Sequence, residues 1–270
     1  MKKITILVLS AALLLSLCAC GGKKNTLFAE ASPESSALEL QWFDVTEGES
    51  RILYDTAAEK EILAELGNVR AKKVEDWSPE KVTYPVFGLW IGSEDGEGVQ
   101  CAWCDGYLLM RDGSVYEFDY DFYALAENYD WEYLRDIDSA AALYCGRFLA
   151  EGNGQWYPIH MTKATLKDVP EGISLKLTAA GRDSLTAELT NSSGESWCYG
   201  EYFSLQVLLH DEWYAVPTTP EHNWGFTDIG LILEPGQTRE ETYSLLMYGE
   251  LPAGTYRLVV EGLTAEFELE

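Results

Sequence analysis

The chain has 270 residues, 47% of them hydrophobic and 13% aromatic, which excludes disorder over most of its length. Its formal charge of −26 excludes nucleic acid as a partner, because holding a phosphate polymer needs a basic face. Such acidity suits cationic partners, basic peptides or divalent ions among them, and also serves plain solubility.

The first element is an export signal. Lys2 and Lys3 precede a run that is almost wholly apolar from Ile4 to Ala19, ending in Leu17-Cys18-Ala19-Cys20. This pattern predicts a lipoprotein signal peptide over 1–19, cleaved before Cys20, which then carries the lipid. Cys18 is the poorer acceptor, since bulky Leu17 stands where a small residue is wanted. Two acyl chains hold a protein on a bilayer where one would not, each buried methylene contributing about 0.8 kcal/mol. The expected location is therefore the extracytoplasmic face of the cell membrane. The mature chain keeps 17 basic residues against 45 acidic ones, so anionic headgroups repel its surface and the lipid does the anchoring.

Residues 20–37, rich in Gly, Lys, Ser, Pro and Glu, read as a flexible tether. An α+β domain is expected over 38–158, an antiparallel meander with two or three helices. Ala37 to Phe43 and Arg51 to Tyr54 have strand character. Thr56-Ala57-Ala58-Glu59 forms a capping box with Thr56 as N-cap, opening a helix whose apolar stripe is Ala58, Ile62, Leu63 and Leu66 and which Gly67 ends. From Val86 the period changes to two: Val86 to Ile91, Val99 to Cys104, Tyr107 to Arg111 and Ser114 to Tyr120 read as strands, joined by Asp105-Gly106 and Asp112-Gly113 turns. Tyr116, Phe118 and Tyr120 are expected to face the core. Asp121 caps a short helix over Phe122 to Asn128, and Asp138 or Ser139 a second one running to Leu149.

The pattern changes again over 170–270. Ile173, Leu175 and Leu177 alternate with polar residues, as do Leu185, Ala187 and Leu189, then Tyr256, Leu258 and Val260, then Ala265, Phe267 and Leu269. With runs at Phe203 to Leu209, Glu212 to Val216, Ile229 to Leu233 and Arg239 to Leu245, this makes seven or eight short strands and no helix of useful length. That is the grammar of an all-β immunoglobulin-like sandwich.

The segments Leu189-Thr190-Asn191-Ser192-Ser193, Tyr199-Gly200-Glu201-Tyr202-Phe203-Ser204, Asp211-Glu212-Trp213-Tyr214-Ala215-Val216-Pro217, Asn223-Trp224-Gly225-Phe226 and Tyr248-Gly249-Glu250-Leu251-Pro252-Ala253-Gly254-Thr255-Tyr256 resemble the bacterial Ig-like domain carried by lipoproteins of Gram-positive gut bacteria. The likeness spans about Gly172 to Glu270 and implies a fold, with no catalytic residue to carry over.

Candidate chemistry is sparse. His160, His210 and His222 are far apart in sequence, and no HExxH, phosphate loop or G-x-S-x-G elbow occurs. Ser78-Pro79-Glu80-Lys81 matches S-x-x-K without its companion elements. Cys101-Ala102-Trp103-Cys104 lies in a strand pattern, where residues three apart sit about 10 Å apart on opposite faces, too far for a disulfide. The expected roles of Cys101, Cys104, Cys145 and Cys198 are apolar filler, or one structural bridge using Cys145 or Cys198. Glu117, Asp119 and Asp121, two apart on one strand, have the spacing of an inverting glycosidase pair, but they point into one medium rather than across a cleft. Glu94, Asp95 and Glu97, or Asp119 with Asp121, could hold calcium, though no calcium-loop pattern is present. Neither metal nor cofactor is expected. A ligand patch is expected at Trp213, Tyr214, Trp224 and Tyr202, aromatic residues close to carboxylates.

These readings combine into a non-enzymatic, lipid-anchored extracytoplasmic protein whose Ig-like module is a spacer or interaction domain, with a cell-wall or envelope protein or glycan as partner. Strand addition at a sandwich edge is the expected mode of contact. A carbohydrate-active hydrolase using the N-terminal carboxylates, or a protease-inhibitor-like surface protein, is the alternative.

Overall fold

The structure is a computed structural model and describes residues 25–31, 38–44, 47–92, 98–137, 143–219 and 225–270. Cys20, Glu94, Asp95, Glu97, Asp138, Ser139, His222 and Trp224 lie outside the described residues. Strands dominate the fold, and helices are few and short.

The N-terminal region is built on one antiparallel sheet. Its strands are β1 (Leu38–Asp44), β2 (Glu47–Leu53), β3 (Ala71–Val74), β4 (Val86–Ile91), β5 (Val99–Cys104), β6 (Tyr107–Met110), β7 (Val115–Phe118) and β8 (Glu132–Ile137). They lie in the order β3-β7-β6-β5-β4-β1-β2-β8. The meander from β4 to β7 follows from its turns: Asp105 and Gly106 both have positive φ, 44° and 82°, as a two-residue hairpin turn requires. At the next turn, Asp112 accepts from the Ser114 N–H at 2.9 Å.

Both faces of this sheet are covered. On one, helices α1 (Thr56–Asn68) and α2 (Phe122–Asn128) set Ile62, Leu66, Phe122 and Leu125 against Leu40, Leu89, Trp103 and Phe118. On the other, α3 (Gly146–Ala150) and the residues before it bring Leu143, Cys145 and Leu149 onto Phe43, Val86, Ala102 and Leu109.

Several expectations need correction here. The N-cap of α1 is Asp55, whose carboxylate accepts from Ala57 and Ala58, so Thr56 is the first helical residue. An ionised acceptor also complements the helix dipole, which favours Asp55 over the neutral hydroxyl beside it. Gly67 lies inside the helix, which runs to Asn68. The second helix of the meander is where expected, with Asp121 accepting from Ala124 N–H at 2.9 Å. The third has five residues, opens at Cys145 with no side-chain cap, and covers only the end of the expected span. Tyr116 and Tyr120 are half-buried, and only Phe118 of that trio is fully in the core. Part of the expected tether is bound to the body: Asn25 Nδ2 donates to Leu66 O at 2.7 Å and Val69 O at 2.9 Å, satisfying carbonyls at the end of α1. Phe28 follows into the core beside Phe118.

A small hairpin, β9 (Glu151–Gly152) and β10 (Gln155–Trp156), turns at Asn153 and Gly154, both with positive φ. The C-terminal region then comprises β11 (Ile173–Ala180), β12 (Ser184–Asn191), β13 (Trp197–Tyr199), β14 (Ser204–Leu209), β15 (Glu212–Ala215), β16 (Leu231–Leu233), β17 (Thr238–Ser244), β18 (Gly254–Val260) and β19 (Leu263–Leu269). One sheet has the order β11-β12-β17 and another β15-β14-β18-β19, with β13 and β16 forming a separate pair. Leu185, Ala187 and Tyr243 from the first meet Leu205, Val207, Tyr256, Leu258 and Phe267 from the second in one core. The alternation of Leu185, Ala187 and Leu189 and that of Tyr256, Leu258 and Val260 is thus the inward face of β12 and of β18.

Candidate functional site

Trp213 and Tyr214, two members of the expected aromatic patch, do not share a face. Trp213 and Tyr214 are neighbours on β15 and point to opposite faces, as consecutive strand residues must. Tyr214 turns inward and is buried in the core. The ring of Trp213 is covered by the Arg257 guanidinium, 4.1 Å from its centroid. Tyr202 is the exposed member, 56% accessible, and its ring meets the edge of Phe226 at 5.2 Å. Trp224 lies outside the described residues.

Two of the three meander carboxylates, Glu117 and Asp121, have structural partners, and Asp119 is exposed. Lys72 Nζ reaches Glu117 Oε1 at 2.9 Å across the β3–β7 pair, where the two residues are in register. Asp121 is the cap of α2, so Glu117 and Asp121 already serve the strand pair and the helix end. Among the described residues no group of three or more His, Cys, Asp or Glu could hold a metal ion.

All four described cysteines are free thiols. Cys101, Cys104 and Cys145 are buried, and burial pushes the thiols of Cys101 and Cys104 up to about 12 and that of Cys145 well above its ordinary value. A thiol so disfavoured as thiolate is a small apolar filler. Cys198 is exposed on β13 and unbridged, so the structural bridge weighed from the sequence is not formed.

His160, far in sequence from the other histidines, is buried between Pro79 and Tyr84. Pro79 O can only accept, so Nε2 at 3.2 Å carries the proton and Nδ1 accepts from Tyr84 Oη at 2.6 Å. Burial holds the imidazole below its ordinary pKa, and burial with the neighbouring Cys104 pushes the Tyr84 phenol up to about 12.

Where sequence reasoning saw nothing, the register assembles a cleft. On β1 and β2, Trp42 lies opposite Glu49 and Leu40 opposite Arg51. Trp42 is also opposite Phe87 of β4, while Glu49 faces Asp136 and Arg51 faces Tyr133 on β8. Two rungs therefore run across one sheet face, Phe87-Trp42-Glu49-Asp136 and Leu89-Leu40-Arg51-Tyr133. Helix α2 crosses above them and supplies Tyr123, Ala126 and Glu127 as the opposite wall. The cavity holds about 170 Å³. Trp42 is 40% and Tyr123 50% accessible, and Tyr123 stands edge-on to Phe87 at 5.1 Å. Glu49 and Arg51 form an ion pair, and Tyr133 Oη donates to Asp136 at 2.9 Å.

The two regions meet through a second set of contacts. Trp156 Nε1–H donates to Tyr256 Oη at 2.9 Å, and the Tyr256 hydroxyl donates in turn to Pro252 O at 2.6 Å. Arg147 lies 4.2 Å from the Trp156 ring centroid and donates to Glu250 O at 2.8 Å. Its burial lowers the guanidinium to about 10 against the opposing pull of Glu151. Beyond them the chain pairs with the outer edge of β15: Ala215 N–H reaches Thr162 O at 2.9 Å and Ala164 N–H reaches Trp213 O at 2.8 Å. That edge is occupied by the chain itself, which removes it as a place for strand addition.

Comparison with known proteins bears on the C-terminal region. No curated protein and no solved structure matches the chain. The hydroxyl of Tyr256, bonded back to Pro252 near the start of β18, has the form of a tyrosine corner, which recurs in immunoglobulin-like folds. In keeping with that corner and with the two packed sheets, residues 171–269 match the family model of the bacterial Ig-like domain.

Proposed function

We propose that this chain is a non-enzymatic binding protein held by acyl groups on Cys20 at the extracytoplasmic face of the cell membrane. Its Ig-like module supports or extends contact with a cell-wall or envelope component, and the N-terminal region recognises it. The observation that carries the proposal is the Ig-like match over residues 171–269, since such domains are non-catalytic surface or interaction modules. The apolar run ending at Cys20 supports the anchor. The engagement of Glu117 by Lys72 and of Asp121 by α2 favours this reading over a hydrolase.

The test has two arms. Labelled palmitate should enter the native chain and be lost in Cys20→Ser; incorporation unchanged by that substitution refutes the anchor. The full chain, incubated with cell-wall fractions, should retain one of them in a saturable manner, and turnover of a wall glycan by the purified chain refutes the non-enzymatic reading.

A further inference from the structure

We propose that the cleft between β1, β2 and α2 binds one uncharged pyranose ring of a glycan, stacked on Trp42 and bridged by the Glu49–Arg51 pair. This rests on the reading of the N-terminal region as the recognising part.

Trp42 is the central side chain of the cleft. Its indole makes no ring contact and no hydrogen bond among the described residues, and it is 40% accessible. A free aromatic face of this kind accepts the C–H face of a sugar, an apolar edge or a cation. The charges around it decide between these. Arg51 and Glu49 sit on adjacent rungs of the cleft and neutralise each other. An anion would meet Glu49, Glu127 and a chain of net charge −26, and a cation stacked on Trp42 would have to compete with the Arg51 guanidinium for Glu49. A neutral ligand rich in hydroxyls meets neither penalty. Paired hydroxyls on one ring can donate to Glu49 and accept from Arg51 together, so the ion pair need not be broken.

Size points the same way. Drug-sized ligands fill pockets of about 300–1,000 Å³. A cavity of about 170 Å³ takes a single ring and leaves neighbouring residues of a chain outside it. Those neighbours would run along the exposed rungs toward Tyr133, whose hydroxyl is already fixed by Asp136. The site is also held stiffly: Phe87 packs on Trp103 and Phe122 beneath it, so the floor is a cluster of rings rather than a loop.

Tryptophan fluorescence and calorimetry on the full chain test this with soluble tetramers of β-1,4-linked N-acetylglucosamine, β-1,4-linked glucose and α-1,4-linked glucose. One of these is expected to bind at one site per chain. Trp42→Ala should weaken it by about tenfold or more, the worth of one stacking face. Arg51→Met should do the same with the sheet intact, and Tyr202→Ala should change nothing. If Trp42→Ala melts early, Arg51→Met carries the test alone. Binding that is indifferent to both substitutions overturns the assignment. So does the failure of every sugar to bind at up to about 10 mM. If a lysine-rich peptide binds instead, in a manner screened by salt and lost in Trp42→Ala, the cleft takes cations and the recognition reading survives without the sugar. If neither sugar, peptide nor wall fraction binds, both readings fall.

Discussion

Removing one oxygen atom should have opposite effects at two tyrosines of the same core. At Tyr256, fully buried, the hydroxyl accepts from Trp156 and donates to Pro252, so Tyr256→Phe leaves a buried N–H and a buried carbonyl without partners. Each orphan costs about 1–3 kcal/mol, which puts the loss at roughly 2–6 kcal/mol. At Tyr243 the hydroxyl is buried and has no partner, while the ring packs against Phe203 at 5.1 Å. Tyr243→Phe deletes an unsatisfied group and keeps the ring, so it should be neutral or stabilise by up to about 1 kcal/mol. Urea unfolding of both variants, followed by tryptophan fluorescence and circular dichroism, reads the two signs directly. A Tyr256→Phe loss below about 0.5 kcal/mol, or a Tyr243→Phe loss exceeding it, would refute this account of the core's hydrogen bonding. Trp156→Phe should reproduce part of the Tyr256→Phe loss, and the double variant should lose less than the sum, because one hydrogen bond is counted twice.

Other consequences are simpler to read. The imidazole of His160 is held below its ordinary pKa of about 6.5, so the unfolded chain takes its proton first: stability is intact above about pH 6.5 and declines as the pH falls from there toward the folded value. Unfolding midpoints in His160→Gln should lose that part of the slope between about pH 7 and pH 5, and an identical slope in both proteins would contradict the buried tautomer. Thiol alkylation of the native chain should label Cys198 and spare Cys101, Cys104 and Cys145 until denaturant is added; early labelling of Cys104 would contradict its burial. Glu117→Gln removes one partner of an exposed ion pair and should change stability by less than about 1 kcal/mol, whereas a loss of several would mean the carboxylate is under a constraint the fold does not explain.

The hairpins of the meander were readable because an Asp-Gly pair between alternating segments encodes turn and register within a few residues. The same holds for β12 and β18, where apolar positions two apart mark the inward face. The strands β3 and β8 were missed for a physical reason. Both are sheet edges, and Ala71-Lys72-Lys73-Val74 and Glu132-Tyr133-Leu134-Arg135 carry charges that keep an edge from pairing with other chains. Their sequences thus hide the period that would reveal them. The cleft was illegible because its rungs join β4, β1, β2 and β8, with Trp42 paired to Phe87 and Glu49 to Asp136 far along the chain, through a register that no local pattern states. In β1 both alternating sets contain apolar residues, Leu38, Leu40 and Trp42 on one side and Phe43 on the other, so sequence gave no face for Trp42. The patch at Trp213 and Tyr214 failed on simple strand geometry, which puts neighbours on opposite faces. For the Ig-like module the fold was legible; its contact with Trp156 was not, since nothing in Gln155-Trp156-Tyr157 marks a tryptophan destined for another region.

The fastening of Asn25 to the end of α1 has a topographic consequence if Cys20 carries the proposed acyl groups. Only five peptide units separate the two residues, a leash of at most about 18 Å even when fully drawn out. The N-terminal body would therefore ride within one molecular diameter of the lipid surface, like a boat on a short mooring. Under that anchoring, whatever docks with it would have to come down to the bilayer.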